Sequence, residues 1–109
     1  MTNNRGEKIK DLIKQCVSEY AIREAGNTSL ITITDVAISE DGKNAMVLFT
    51  ALPESKQEAA LGFLKRHRGE MREYIKQKIK INAIPYLDVK IDLGEKNRQR
   101  IDQLLREHD

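Results

Sequence analysis

Residues 30–52, LITITDVAISEDGKNAMVLFTAL, restrict the fold of this chain more than any other stretch. Two runs rich in β-branched and aliphatic residues flank "SEDGKN", with Asp41-Gly42 at its centre. A strand–turn–strand pattern of this kind reads as an antiparallel hairpin, with a loop longer than the tightest kind. In the first run Ile31 and Ile33 alternate with Thr32 and Thr34, as in a half-buried strand. The alternation then slips, because Val36 and Ile38 are apolar where the earlier phase requires polar residues. One extra residue near Asp35, a β-bulge, returns all four side chains to a single face. In the second run Ala45, Val47 and Phe49 lie on one face, and Met46 and Leu48 on the other. Both faces are apolar, so this strand is expected to be central or covered.

The remaining periodicities supply the partners. Ile9, Leu12, Ile13, Cys16, Val17 and Tyr20 fall on one face of an amphipathic helix of about four turns. It ends near "REAGNTS", where Gly26 and Asn27 provide stop and turn chemistry. Pro53 and "ESKQ" open a second helix, with Ala60, Leu61, Phe63 and Leu64 inward. Beyond Gly69 the pattern resumes with Met71, Tyr74, Ile75 and Ile79, and "NAIP" breaks it, since the residue before Pro85 is pushed out of helical geometry. "YLDVKID" is an alternating strand with Leu87, Val89 and Ile91 inward. The spacing predicts an α+β chain in the order αββααβ: one three-stranded sheet, helices packed on one face, and a helix–kink–helix at Gly69. Residues 1–109 form one domain, in which 1–6 and about 94–109 are expected to be loose or, around Ile101, Leu104 and Leu105, a short terminal helix.

Composition narrows the function. The chain has 109 residues, 33% of them charged and only 5% aromatic, which suits a small aliphatic core. The net charge is +2, but residues 65–80 alone carry +5: Lys65, Arg66, Arg68, Arg72, Lys76, Lys78 and Lys80 against Glu70 and Glu73. Such a local excess points to a basic site rather than a generally basic surface. One cysteine excludes an internal disulfide, and with two distant histidines it supplies neither a zinc set nor a Cys–His pair. There is no phosphate-binding glycine motif, and the carboxylates show no convergence. No enzyme and no cofactor is expected. No apolar run approaches a membrane span and nothing resembles a signal peptide, so a cytoplasmic monomer without membrane contact is expected.

Three segments then carry a family resemblance, over about residues 8–105. "TITDVAISEDGKNAMVLF" fits a T-x-T-D-V-x-[VI]-S-x-D pattern followed by A-x-V, through Thr32, Thr34, Asp35, Val36, Ile38, Ser39, Asp41, Ala45 and Val47. "RGEMREYIKQKIKINAIPYLDVKID" fits G-x-[ILM]-R, a basic and apolar run, then P-x-L, through Gly69, Met71, Arg72, Pro85 and Leu87. "RIDQLL" is similar to a closing I-x-x-L-L. Together they resemble the ribosome-binding factor A family, a branch of the type II KH-like domains. The chain lacks a GxxG loop, and it has His67-Arg68-Gly69 where the family carries Ala-x-Gly. The resemblance implies a non-catalytic factor that binds the immature small (30S) ribosomal subunit and 16S rRNA and assists late rRNA maturation.

Lys65, Arg66, Arg68, Gly69, Arg72, Lys76 and Lys80 are the expected RNA-binding residues. Arg72, Lys76 and Lys80 fall at i, i+4 and i+8, a stripe able to follow a phosphate backbone. Lys78 falls inside the apolar arc beside Tyr74 and has to reach outward. Two readings of Gly69 stand. Either a glycine permits close helix–sheet packing, or it marks a bend that exposes the start of the next helix to an anion. Asp35 is expected to bond local backbone at the bulge, and Cys16 to be a small core residue. Tyr86, beside Pro85, is the one base-stacking candidate, so affinity for isolated RNA should be modest and strongly salt-dependent. A small protein-interaction module without nucleic-acid binding is the alternative; its affinity would hardly respond to salt.

Overall fold

A computed structural model of the chain describes residues 5–25, 29–80 and 83–94. Helix α1 (Arg5–Ala25) leads into strands β1 (Leu30–Ile38) and β2 (Asn44–Leu52). A 3-10 turn (Glu54–Lys56) opens α2 (Gln57–Arg66), then α3 (Arg68–Lys78) and β3 (Tyr86–Ile91) follow. The sheet order is β1-β2-β3, with β1–β2 antiparallel and β2–β3 parallel. Parallel neighbours need a long crossover, and the α2–α3 pair provides it.

The expected faces are the observed ones. Ile13, Cys16, Val17, Tyr20 and Ala21 of α1 are buried with Ala60 and Leu64 of α2 and with Met71 and Ile75 of α3. They meet Ile31, Ile33, Val36, Ala45, Val47, Phe49, Leu87 and Val89 from one face of the sheet. β2 is central, which accounts for its two apolar faces. Met46 and Leu48, 8% and 2% exposed, form a separate small cluster with Ala37.

The bulge is where the phase slip put it. Ile33 pairs with Phe49 and Asp35 with Leu48, so Thr34 is the extra residue. The Asp35 carboxylate accepts the Val36 amide at 2.8 Å and meets the Lys10 ammonium at 3.4 Å. Thr34 donates its hydroxyl to Asp92 at 2.6 Å. In the hairpin turn Gly42 adopts a φ of +74°, a left-handed conformation that favours glycine. The Asp41 carboxylate holds the turn by accepting from the Ser39 hydroxyl at 2.7 Å and the Lys43 amide at 2.9 Å.

Three boundaries differ from the sequence reading. α1 is 21 residues long rather than about four turns and already includes Arg5 and Gly6. The 3-10 turn delays the start of α2 to Gln57. α3 stops at Lys78, and Ile79 is extended (φ −119°, ψ 124°), so the helix ends well before Pro85. The closing helix expected around Ile101, Leu104 and Leu105, like residues 1–4, lies outside the described residues.

Candidate nucleic-acid interface

The basic segment is split by a real break, whose pivot is His67 (φ −102°, ψ 13°). Its ring is half-buried and lies 4.3 Å from the Phe63 ring and 6.1 Å from that of Tyr20, centroid to centroid. Nδ1 is 2.7 Å from the Phe63 carbonyl oxygen; a carbonyl can only accept, so Nδ1 carries the proton. This ring stops α2 and turns the chain, while the His67 carbonyl accepts the Met71 amide at 2.9 Å and starts α3. Gly69 is therefore not the pivot. It sits in the first turn of α3, exposed, and a Cβ built there would meet nothing within 4 Å. Close packing does not explain this glycine. It leaves the α3 backbone bare on a turn that has no side-chain cap.

The opposite side of that turn is tied down. Tyr20, 4% exposed, donates its hydroxyl to Glu70 at 3.1 Å and stands edge-on to Tyr74 with centroids 6.0 Å apart. Burial, then the hydrogen bond to Glu70 and that carboxylate's charge, pushes the Tyr20 phenol up to about 12. Tyr74 donates to Glu19 at 3.0 Å. Lys78 reaches outward as its position requires, with its ammonium 5.4 Å from the Tyr74 ring centroid. Burial raises the Cys16 thiol, the charge of Glu19 adds to this, and Lys78 opposes it. Cys16 is thus a core residue, as expected.

The seven expected RNA-binding positions divide by what they touch. Lys65 and Arg66 end α2, exposed and without an ion pair among the described residues. Arg68 bonds Asp88 on β3 at 3.2 Å and the Lys65 carbonyl oxygen at 3.1 Å. That ion pair is half in solvent, so it adds under about 1 kcal/mol and exchanges readily for a phosphate. Arg72 is half-buried, and its guanidinium donates to the Ile84 and Pro85 carbonyl oxygens at 2.6 and 3.0 Å. It also covers the Tyr86 ring, 4.5 Å from the centroid. Arg68, Arg72 and Lys76 are thus one flank of α3, turned toward β3 and the chain that leads into it. Lys76 is exposed and without an ion pair among the described residues, as is Lys80. Lys80 lies beyond the helix end, so it does not continue the i, i+4 stripe.

The residues sequence reasoning missed are Lys43 and the wall it completes. Asn44 pairs with Tyr86, and the Tyr86 amide donates to the Lys43 carbonyl at 2.8 Å. The hairpin turn therefore lies beside the lead-in to β3, across from Lys76. Only the parallel pairing of β2 with β3 makes these neighbours; no local pattern signals it. Among the described residues no group of His, Cys, Asp or Glu could hold a metal ion, and no helix is long and apolar enough to cross a membrane.

Comparison with known proteins agrees with this architecture. Two solved structures superpose on the chain with a TM-score of 0.67. One is the crystal structure of ribosome-binding factor A from Thermus thermophilus, 22% identical, covering 78% of this chain and 93% of that one. The other is the solution structure of a Thermotoga maritima protein described as a putative ribosome binding factor A, 21% identical, covering 88% and 95%. At these identities the likeness is one of fold. In sequence the chain is 31% identical to ribosome-binding factor A of Thermodesulfovibrio yellowstonii, over 94% of this chain and 89% of that protein. It is 29% identical to that of Syntrophobacter fumaroxidans, over 98% and 96%. The family model for ribosome-binding factor A matches residues 5–105, and this chain belongs to that family.

Proposed function

We propose that this chain is a non-catalytic ribosome assembly factor that binds the immature small (30S) subunit through its 16S rRNA and assists late rRNA maturation in the cytoplasm. The observation that carries this reading is the open, unneutralised positive surface around the helix break. Lys65 and Arg66 precede it, Lys76 lies in the last turn of α3 and Lys80 beyond its end, and the bare backbone at Gly69 lies between the two pairs. Arg68 adds a cation that can leave Asp88 for a phosphate. Arg72 shapes the flank by fixing the approach to β3. Phosphate contacts of this kind position a protein on folded RNA without reading sequence. Support also comes from a structural neighbour, 23% identical with a TM-score of 0.62: Thermus thermophilus ribosome binding factor A as fitted into a cryo-EM map of a 30S complex.

Co-sedimentation with small subunits tests the proposal. The exposed triple variant K65E/R66E/K76E should stay folded and lose the small-subunit pellet at physiological salt. If the triple variant still pellets with small subunits as wild type does, the site is wrong.

A further inference from the structure

The sheet has a second face, and the helices do not account for its burial. Side chains alternate along a strand, so Met46, Leu48, Thr50 and Leu52 of β2 point away from the face on which α1, α2 and α3 pack. At one end of that outer face Leu52 and its β1 partner Leu30 are 62% and 60% exposed. On the same strand and the same side, Leu48 is 2% and Met46 8% exposed. Among the described residues their cluster holds only sheet residues, with Ala37 beside them. We infer that the terminal segment around Ile101, Leu104 and Leu105 forms a helix that docks on this end of the outer face, over Met46, Leu48 and Ala37, and closes it to other partners. The inference goes beyond the proposed RNA binding and does not depend on it.

The sheet's own side chains explain only part of the burial. Thr34 and Asp92 also point outward, and their hydrogen bond of 2.6 Å joins β1 to the end of β3 across the central strand. It shields Leu48. It lies beyond Leu48 from Met46, so Met46 needs a different cover. Two apolar side chains and an alanine on the middle of a sheet call for a second layer.

The chain supplies one at the right place. β3 leaves the sheet beside Phe49, and the Asp92 amide donates to the Phe49 carbonyl at 2.7 Å. The Asp92 carboxylate then accepts the Gly94 amide at 2.9 Å, and Gly94, with a φ of +107°, turns the strand out of its course. Ile101 comes seven residues after Gly94, a span of up to about 23 Å. Met46 is only three residue steps, about 10 Å, back along β2 from Phe49. Ile101, Leu104 and Leu105 fall at i, i+3 and i+4, a stripe wide enough for the small Met46–Leu48–Ala37 patch. A helix this short does not hold in water without such a surface to bury its stripe. Charge agrees with the path. Lys96, Arg98 and Arg100 precede the stripe with no acid among them, and the outer face offers Asp88 and Asp92 against Lys90.

The test uses the full chain. Its three methionines are Met1, Met46 and Met71, so methyl-labelled methionine places one probe in the proposed contact and one, Met71, in the opposite core. L104D/L105D should shift the Met46 methyl resonance and leave that of Met71 in place. In a second arm, M46C/L104C and M46C/Q103C are oxidised as dilute 1:1 mixtures of isotope-labelled and unlabelled chains. Cys16 is buried and takes no part. Gln103 lies on the side of the helix opposite the stripe, so M46C/L104C should form its disulfide several-fold faster, and within single chains. Any of three results overturns the inference. They are a Met46 resonance that ignores L104D/L105D, equal rates for the two cysteine pairs, or disulfides that join labelled to unlabelled chains, which would make a second copy the occupant. The disulfide arm decides by itself if L104D/L105D disturbs Met71 as well.

Discussion

Arg72 offers the sharpest separation of a structural from a binding role, because its sequence position suggests phosphate and its contacts are with the protein. Replacing it with alanine removes two charged donors from the Ile84 and Pro85 carbonyls and uncovers one face of Tyr86. Hydrogen bonds from a charged group contribute about 1.5–3 kcal/mol each. Arg72 and Ile84 are only half-buried, so water that reaches the Ile84 carbonyl in the variant offsets part of the loss even though Pro85 is buried, and about 2 kcal/mol for the pair is the better figure. The guanidinium–ring contact adds about 0.5–1 kcal/mol at a partly exposed site. R72A should therefore lose about 2–3 kcal/mol of a total stability on the order of 5–15 kcal/mol. In urea the midpoint should fall by about 1–2 M with the slope unchanged. R72K keeps the charge but not the planar two-carbonyl geometry, so it should lie between the two. K76A, on the same flank and exposed, should differ from wild type by no more than about 0.5 kcal/mol. If R72A unfolds at the wild-type midpoint, the clamp contributes nothing. If such a stable R72A also fails to bind small subunits, Arg72 is a phosphate ligand first.

Two further outcomes follow from the same geometry. Gly69 has a non-positive φ and empty space at its Cβ, so G69A should raise stability by up to about 0.5–1 kcal/mol through helix propensity; a lower melting temperature would mean that something packs against this turn after all. The Tyr20 phenol is pushed up to about 12 in the fold, above the ordinary value of about 10. Its protonated form is the one the fold favours, so this contribution is complete below about pH 10 and is lost as pH rises toward about 12. Urea unfolding across that window should show stability falling in wild type and falling less in Y20F; parallel curves would exclude Tyr20 as the source.

How much of this was legible beforehand follows the range of the interactions. The bulge at Thr34 could be read because a period-2 pattern that shifts phase leaves a mark within a few residues. The central place of β2 showed in its two apolar faces, and the core face of α1 in its 3.6-residue spacing. The pivot was misplaced by two residues, from His67 to Gly69, because a glycine is the usual signal for a break. The actual device is an imidazole bonded to the Phe63 carbonyl and packed on Phe63 and Tyr20. The i, i+4 pair Phe63–His67 was the only local hint of it. Lys80 was placed on a helical stripe because nothing in "KIKIN" marks Ile79 as extended. The role of Arg72 was invisible for a different reason. Its partners are backbone carbonyls in an irregular segment 12 and 13 residues away, and backbone carbonyls are present in every sequence. Lys43 escaped notice because its nearness to Lys76 and Tyr86 depends on the β2–β3 register.

The central claim is that the cations around the helix break hold the chain to RNA through phosphate. The most direct measurement is the affinity of the chain for purified small subunits over a salt series, for wild type and for K65A/R66A. With Lys65, Arg66, Lys76 and Lys80 each releasing a counterion, the logarithm of affinity should fall against that of salt with a slope of about −3. The double variant should bind more weakly, with a slope shallower by about 1.5. A flat wild-type salt response, or a double variant that coincides with wild type at every salt concentration, would contradict the account.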